Sequence, residues 1–323
     1  MTSALSVYPS NPAERDRWIL RHRPPRNEVS PERPYAFHHE VERSVSGEMV
    51  SVATIFLTNR ECPWRCVMCD LWRNTVPSTV AKDAIPKQIE YALSRLPAAK
   101  HIKLYNSGSF FDPHAIPPAS YAAIATLLEP FERVIVESHP LLVSARCLHF
   151  RSLLNGQLEV AMGLETIHPV ALERLNKRIS PAVFSAAARR LQENSIPLRT
   201  FILVHPPFVA QEDADYWTHR SIDFAFHCKA ETISLIPTRA GNGAMEQLII
   251  SGNFVAPTLG TLEDAVDYAL GQQQCRVFAD LWDIEHFAKC SACGAERAAR
   301  LRAINERQIL TDRVICTAGC KDA

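Results

Sequence analysis

The stretch "SVATIFLTNRECPWRCVMCDLW", residues 51–72, joins an apolar, β-branched run of strand length to a loop with Cys62, Cys66 and Cys69 in eight positions. Three cysteines are one short of a structural zinc site, and an odd number cannot pair off into disulfides. A zinc ion completed by Asp70 or a distant histidine, or three unrelated buried thiols, are the plain readings of the loop. Outward from it, strand-like runs recur at 101–106, 133–138, 158–165, 198–205 and 231–237. Helical spacing falls between them, near 86–96, 120–131, 143–153, 168–176, 181–194 and 212–227. Ser180 and Pro181 form a clear start signal for one of these helices.

Strands alternating with helices imply a parallel sheet with right-handed crossovers. Six units predict an α/β fold, a partial (β/α)6 TIM-like barrel. Residues 275–281 admit a seventh strand, and full eightfold closure is not expected. The chain divides into an N-terminal extension (1–48) without clear period, read as loosely structured, a barrel (49–282) and a cysteine-rich C-terminal extension (283–323). The polar stretches of interest all begin where a strand ends, on the rim where barrels build their sites.

The 323 residues are 47% hydrophobic and 22% charged with formal net charge +0, an ordinary globular composition. No apolar run approaches the ~18 residues of a membrane span, and the N-terminus lacks a signal-peptide pattern. Ten cysteines without an export signal point to a reducing compartment, so a cytoplasmic protein with no membrane partner is expected. Neutrality offers no global field for nucleic acid. Two local stretches are basic: Arg15, Arg17, Arg21, Arg23 and Arg26, then Arg297, Arg300, Arg302, Arg307 and Arg313. They read as solvated surfaces or as a footprint for RNA phosphates.

Cys-x3-Cys-x2-Cys directly after the first strand of an α/β barrel resembles the signature of the radical S-adenosylmethionine superfamily. The resemblance implies that Cys62, Cys66 and Cys69 hold three irons of a [4Fe-4S] cluster. Its fourth iron is left for the amino and carboxylate groups of S-adenosylmethionine. One electron then splits the C5′–S bond, and the 5′-deoxyadenosyl radical takes hydrogen from a substrate. Met68 sits where the family packs a bulky side chain on the adenine.

Further stretches extend the resemblance. "YNSGSFFD" (105–112) occupies the place of the family's glycine-rich turn, so Asn106, Ser107, Gly108 and Ser109 are candidates for binding the cosubstrate's amino group. Glu137 and Glu165 resemble strand-end acids near the cosubstrate. A carboxylate can accept both ribose hydroxyls; a helix-capping acid is the plain reading of each. His205, before a Pro-Pro pair, is an adenine or substrate contact or an ordinary rim histidine. Arg239 is a weaker candidate for a substrate carboxylate or phosphate. Together with "MGLETIHPVALERLNKR" (162–178), these stretches look like the branch of the archaeosine-synthase radical subunit, allied to the elongator catalytic subunit. That resemblance implies a tRNA or nucleobase substrate and a small reductase, flavodoxin or ferredoxin as electron donor.

Near the C-terminus, Cys290, Cys293, Cys316 and Cys320 form Cys-x2-Cys-x22-Cys-x3-Cys around a helical stretch. This spacing suits a zinc ion or an auxiliary iron–sulfur cluster. Cys147, Cys228 and Cys275 are isolated and read as core residues. Two other functions stay in view: the same radical chemistry on a small metabolite, and a non-catalytic zinc-binding RNA adaptor.

Overall fold

The computed structural model describes residues 8–320. One eight-stranded sheet runs β1 (Ala36–Arg43), β2 (Met49–Phe56), β3 (His101–Tyr105), β4 (Arg133–Glu137), β5 (Gln157–Glu165), β6 (Leu198–Val204), β7 (Thr232–Pro237) and β8 (Arg276–Ala279), in chain order. Strands β2 to β8 are parallel, and β1 is antiparallel to β2, with Ala36 opposite Phe56 and Arg43 opposite Met49. The six expected units are present, and 275–281 does supply a further parallel strand.

Helices α1 (Pro12–His22), α2 (Ala84–Leu93), α3 (Tyr121–Leu127), α4 (Ala145–Leu153), α5 (Pro169–Arg174), α6 (Pro181–Glu193), α7 (Ala214–His227), α8 (Ala244–Ile250), α9 (Leu259–Gly271) and α10 (Gly294–Arg307) complete the regular structure. Alternation along each strand separates two faces. Ile55, Ile102, Leu104, Val134, Val136, Val160, Ile202, Ile233 and Val277 join the main hydrophobic core with the surrounding helices.

The other face is ionic near the strand starts. Arg199 binds Glu42 at 2.5 Å and Glu159 at 2.7 Å, Lys103 reaches Glu42 at 2.5 Å, and Arg133 reaches Glu159 at 2.5 Å. Every member is buried or nearly so, and each charge has an opposite partner. Such a network adds little net stability over an apolar core, but removing one partner is costly.

The N-terminal extension departs from the loose arm expected. Strand β1 turns its acids inward and exposes Val41: Glu40 and Glu42 face Lys103 and are partly buried. That inverts the pattern by which strands are recognised. Helix α1 is capped by Asn11, whose Oδ1 accepts from Ala13 N, with Pro12 at the first position. Its Trp18 and Ile19 join Val67, Leu175, Leu203, Met245 and Leu248 in a second apolar cluster above the sheet's C-terminal rim.

Helix α10 lies along the free edge of β8. Asn305 gives Nδ2 to Ala279 O at 2.9 Å and accepts Ala279 N at 2.8 Å. Gln308 treats Val277 in the same way, at 2.7 Å for both bonds. Two side-chain amides thus replace a neighbouring strand and blunt the edge. Across the seam, Arg276 of β8 donates to Arg43 O of β1 at 2.9 Å.

Candidate functional site

The loop after β2 is held from several sides. Val67 N donates to Leu175 O at 3.0 Å, and Asn176 Nδ2 donates to Arg65 O at 2.8 Å. Asn242, in the loop after β7, donates to Val67 O at 2.7 Å and Cys69 O at 3.1 Å, while its Oδ1 accepts Met245 N at 2.9 Å. Glu61, next to Cys62, receives Arg23 at 2.6 Å, Arg65 at 3.2 Å, and Arg26. Trp64 lies flat on His139, with centroids 3.5 Å apart and planes 7° apart. The loop backbone is therefore fixed by groups of this chain from several elements.

Its three thiols share one electrostatic environment. Burial pushes Cys62 up to about 12 and Cys69 up to about 11, and pushes Cys66 well above its ordinary value. Cys66 feels both other sulfurs, and the Lys177 ammonium works against burial at Cys66 and Cys62. Partly buried thiols whose ionisation is disfavoured in this way become thiolates when a cation compensates them, which is what a metal ligand set requires. Among the described residues, the group of metal-ligating atoms gathered within 4.8 Å of one another is the C-terminal four cysteines.

The turn after β3 packs against this loop: a Cβ on Gly108 would stand 3.2 Å from Cys62 Cβ. Glu137 Oε1 accepts Asn106 N at 2.5 Å and Gly108 N at 3.4 Å, so this acid shapes the turn. Burial raises the Glu137 carboxyl despite those backbone donors. Ser109 Oγ lies 3.1 Å from Ser138 Oγ and accepts His139 N at 3.2 Å, and Ser107 donates to Tyr35 at 3.4 Å. Asn106 is fully buried, yet neither end of its side-chain amide has a protein partner among the described residues. Buried amides are normally satisfied, so this one is an opening for a polar ligand. The compensable thiols, the glycine contact and the orphan amide together fit a cluster with a polar cosubstrate beside it.

Glu165 ends β5 at a register irregularity with φ +66° and binds Lys177. Gly163 lies directly beneath this pair: a Cβ would fall 2.1 Å from both Glu165 Oε1 and Lys177 Nζ and force the two side-chain ends to move. His205, at φ +52°, has Nε2 2.9 Å from Asp215 Oδ1. Met68 packs at the edge of the rim cluster. The candidates therefore lie along the ends of successive parallel strands.

Residues outside the sequence candidates prove central. Lys177 is the buried cation among Cys62, Cys66 and Glu165. His139 has Nε2 3.0 Å from Lys177 O and accepts Leu141 N at Nδ1; burial first, then the Lys177 charge, lowers it to about 3. Asn176 and Asn242 are loop clamps. The quoted "LERLNKR" held the signal for two of these, but no spacing rule assigns it.

The basic stretches are partly internal. Arg15 pairs with Glu173 at 2.5 Å, Arg23 lies 4.5 Å over Trp72, and Arg297 and Arg300 bind Glu263. Arg17, Arg21, Arg302 and Arg307 remain exposed. Arg239 is tied to Asp280 at 2.8 Å. At the C-terminus, Cys290 Sγ lies 3.7 Å from Cys316 Sγ, and Cys293 Sγ 3.5 Å from Cys320 Sγ.

A partial parallel barrel with a three-thiol loop on its C-terminal rim is the arrangement of the radical S-adenosylmethionine class, and the chain resembles that class in fold and motif. Its curated relatives include archaeosine synthase subunit beta, the branch that the rim motifs resemble. The protein of that name from Methanosarcina acetivorans is 24% identical over 299 residues, covering 86% of this chain and 85% of the relative. The one from Thermococcus kodakarensis is 26% identical over 157 residues, covering 46% and 48%. An uncharacterized Methanocaldococcus jannaschii protein is 23% identical over 63% of this chain, which spans 60% of that relative's length.

Among solved structures, an archaeal Elp3 from Methanocaldococcus infernus aligns with TM-score 0.47 at 12% identity, covering 60% of this chain and 52% of that one. Coproporphyrinogen III oxidase from Escherichia coli aligns at 0.46 and 12%, covering 75% and 53%. No protein-family model matches the chain. Among the described residues, no helix is long and apolar enough to cross a membrane.

Proposed function

We propose that this chain is a radical S-adenosylmethionine enzyme acting on a nucleobase, in RNA of the tRNA kind. The observation that carries the reading is the three-cysteine loop, clamped by Asn242, beside the unpartnered Asn106 amide. Cys62, Cys66 and Cys69 would hold a [4Fe-4S] cluster. When bound, that cluster supplies the electron that cleaves S-adenosylmethionine to the 5′-deoxyadenosyl radical, which removes hydrogen from the substrate.

The chain's own residues divide the remaining work. Asn242 and Asn176 keep the loop backbone fixed. Glu137 holds the Asn106–Ser109 turn, leaving the Asn106 amide for the cosubstrate's amino and carboxylate groups. Glu165, steadied by Lys177, is placed for ribose hydroxyls, and His205 and Met68 for the adenine side. Phe56, Tyr105 and Phe201 form a chain of ring contacts, at 5.9 and 6.3 Å, on the strand face opposite the main core. That aromatic lining suits a planar base.

Anaerobic reconstitution tests the reading. The protein turns brown and, with dithionite, forms 5′-deoxyadenosine; a zinc-binding adaptor loads zinc at the loop and forms none. Retention on immobilised tRNA that falls steeply with salt supports the RNA substrate, and salt-independent behaviour favours a small metabolite. A flavodoxin, ferredoxin or small reductase would replace dithionite in the cytoplasm.

A further inference from the structure

We infer that Cys290, Cys293, Cys316 and Cys320 bind one zinc ion in a closed tetrahedral site that fastens the C-terminal segment across the seam of the barrel. Two sulfur pairs lie at 3.7 and 3.5 Å, and all four sulfurs lie within 4.8 Å of one another. A zinc–thiolate bond of about 2.3 Å gives a tetrahedron with edges of about 3.8 Å. A disulfide would need about 2.05 Å. A [4Fe-4S] cubane puts each thiolate on its own iron, beyond the cluster's edge, and does not fit between sulfurs this close. Four thiolates leave no open position, which is the mark of a structural site.

The backbone is shaped for this. Gly294 N donates to Cys290 O at 2.8 Å, and Gly319 N donates to Cys316 O at 3.1 Å, so each cysteine pair lies in a closed turn. Gly319 takes φ +62°, and a Cβ on Gly294 would stand 2.7 Å from Ala288 O. Zinc with four thiolates carries two negative charges. The Arg297 guanidinium lies in the electrostatic reach of the Cys293 thiol and is itself fixed on Glu263 at 2.8 and 2.6 Å, as outer-sphere partners of metal sites are.

The two pairs bracket α10. One lies just before its first residue, and the other follows the segment after Gln308. An ion joining them sets the position of the helix whose Asn305 and Gln308 cover β8. Binding releases the thiol protons to solvent and changes no oxidation state.

The test uses the full chain, reconstituted anaerobically, with zinc and iron counted per chain by elemental mass spectrometry. The double variant Cys290→Ser, Cys316→Ser loses its zinc and keeps its iron. The triple variant Cys62→Ser, Cys66→Ser, Cys69→Ser loses its iron and keeps its zinc, so this inference and the proposed activity fail separately. Cobalt(II) in place of zinc in the wild-type chain gives the intense red-region absorption of a tetrahedral tetrathiolate site, a readout that needs no variant to fold. Hydrogen exchange at the Val277 and Ala279 amides speeds up roughly tenfold or more when zinc is chelated from the wild-type chain. Zinc that persists in the double variant, iron that falls with it, or cobalt spectra of octahedral type would overturn the site. Unchanged exchange at β8 would overturn the fastening role.

Discussion

Asn242→Asp changes one atom and removes both donors that Asn242 gives to Val67 O and Cys69 O, at 2.7 and 3.1 Å. The new carboxyl can still accept Met245 N. Each buried carbonyl left without a donor costs about 1–3 kcal/mol, and an anion would face two carbonyl oxygens. The alternative is to take up a proton. Protonating at neutral pH a carboxyl of ordinary pKa ~3.9 costs about 4 kcal/mol and restores one donor. The ionised route leaves two carbonyls unmatched and the protonated route adds one unmatched carbonyl to the cost of the proton, so the cheaper one loosens the loop by about 2–6 kcal/mol, or roughly a 30- to 10⁴-fold higher open population.

The assay is the rate of iron release from the reconstituted protein to a chelator. Asn242→Asp and Asn242→Ala should both release iron by about that factor faster near pH 7. Only the aspartate variant should recover as pH falls, because its carboxyl, raised by burial, regains a proton and a donor. Wild-type release rates in the aspartate variant, or equal acid recovery in the alanine variant, would refute the reasoning.

Gly163→Ala would push a methyl against both Glu165 and Lys177, costing about 1–3 kcal/mol through overpacking and raising the KM for S-adenosylmethionine with iron content unchanged; an unaltered Tm and KM would contradict it. At the strand starts, burial opposes ionisation of Glu40, Glu42 and Glu159, but their hydrogen bonds and ion pairs prevail. Glu40 is held at about 2, and the other two are also depressed. Their folded forms bind protons later than the unfolded chain does, so stability is intact above about pH 4.5 and falls as pH drops towards 2. Urea midpoints followed from about pH 6 to pH 3 should show this, with a shallower fall in Lys103→Met. Trp64→Ala removes the stack on His139 at a cost of about 1–3 kcal/mol and should lower Tm without abolishing cluster loading, as melting and iron counts would tell.

What the sequence made legible was whatever obeys a local period or a fixed spacing. The apolar runs after residue 51 became β2 to β7, and the run at 275–281 became β8, because those strands turn one consistently apolar face to the helices. Strand β1 was illegible because its partners invert the pattern: Glu42 is turned inward onto Lys103 and Arg199, while Val41 is exposed. Cysteine spacing flagged both thiol groups, yet the sulfur separations that suit one of them to a single ion needed coordinates. Lys177 and Asn176 follow a six-residue helix and take positive or buried conformations with no sequence signature; only convergence on the Cys66 loop gives them meaning. Arg15 of α1 illustrates the reverse error of reading charge as surface, since it is buried and held on Glu173, while Arg17 and Arg21 of the same helix are exposed.

The paired amide contacts from Asn305 and Gln308 to β8 carry a consequence for the behaviour of shortened chains. Residues 276–279 present backbone donors and acceptors that these two side chains now satisfy. A chain ending before residue 290 would bare that row, and exposed strand margins recruit their own kind. Such a chain would retain the three-thiol loop intact on the opposite end of the sheet and still be lost to precipitation, so its inactivity would say nothing about radical chemistry.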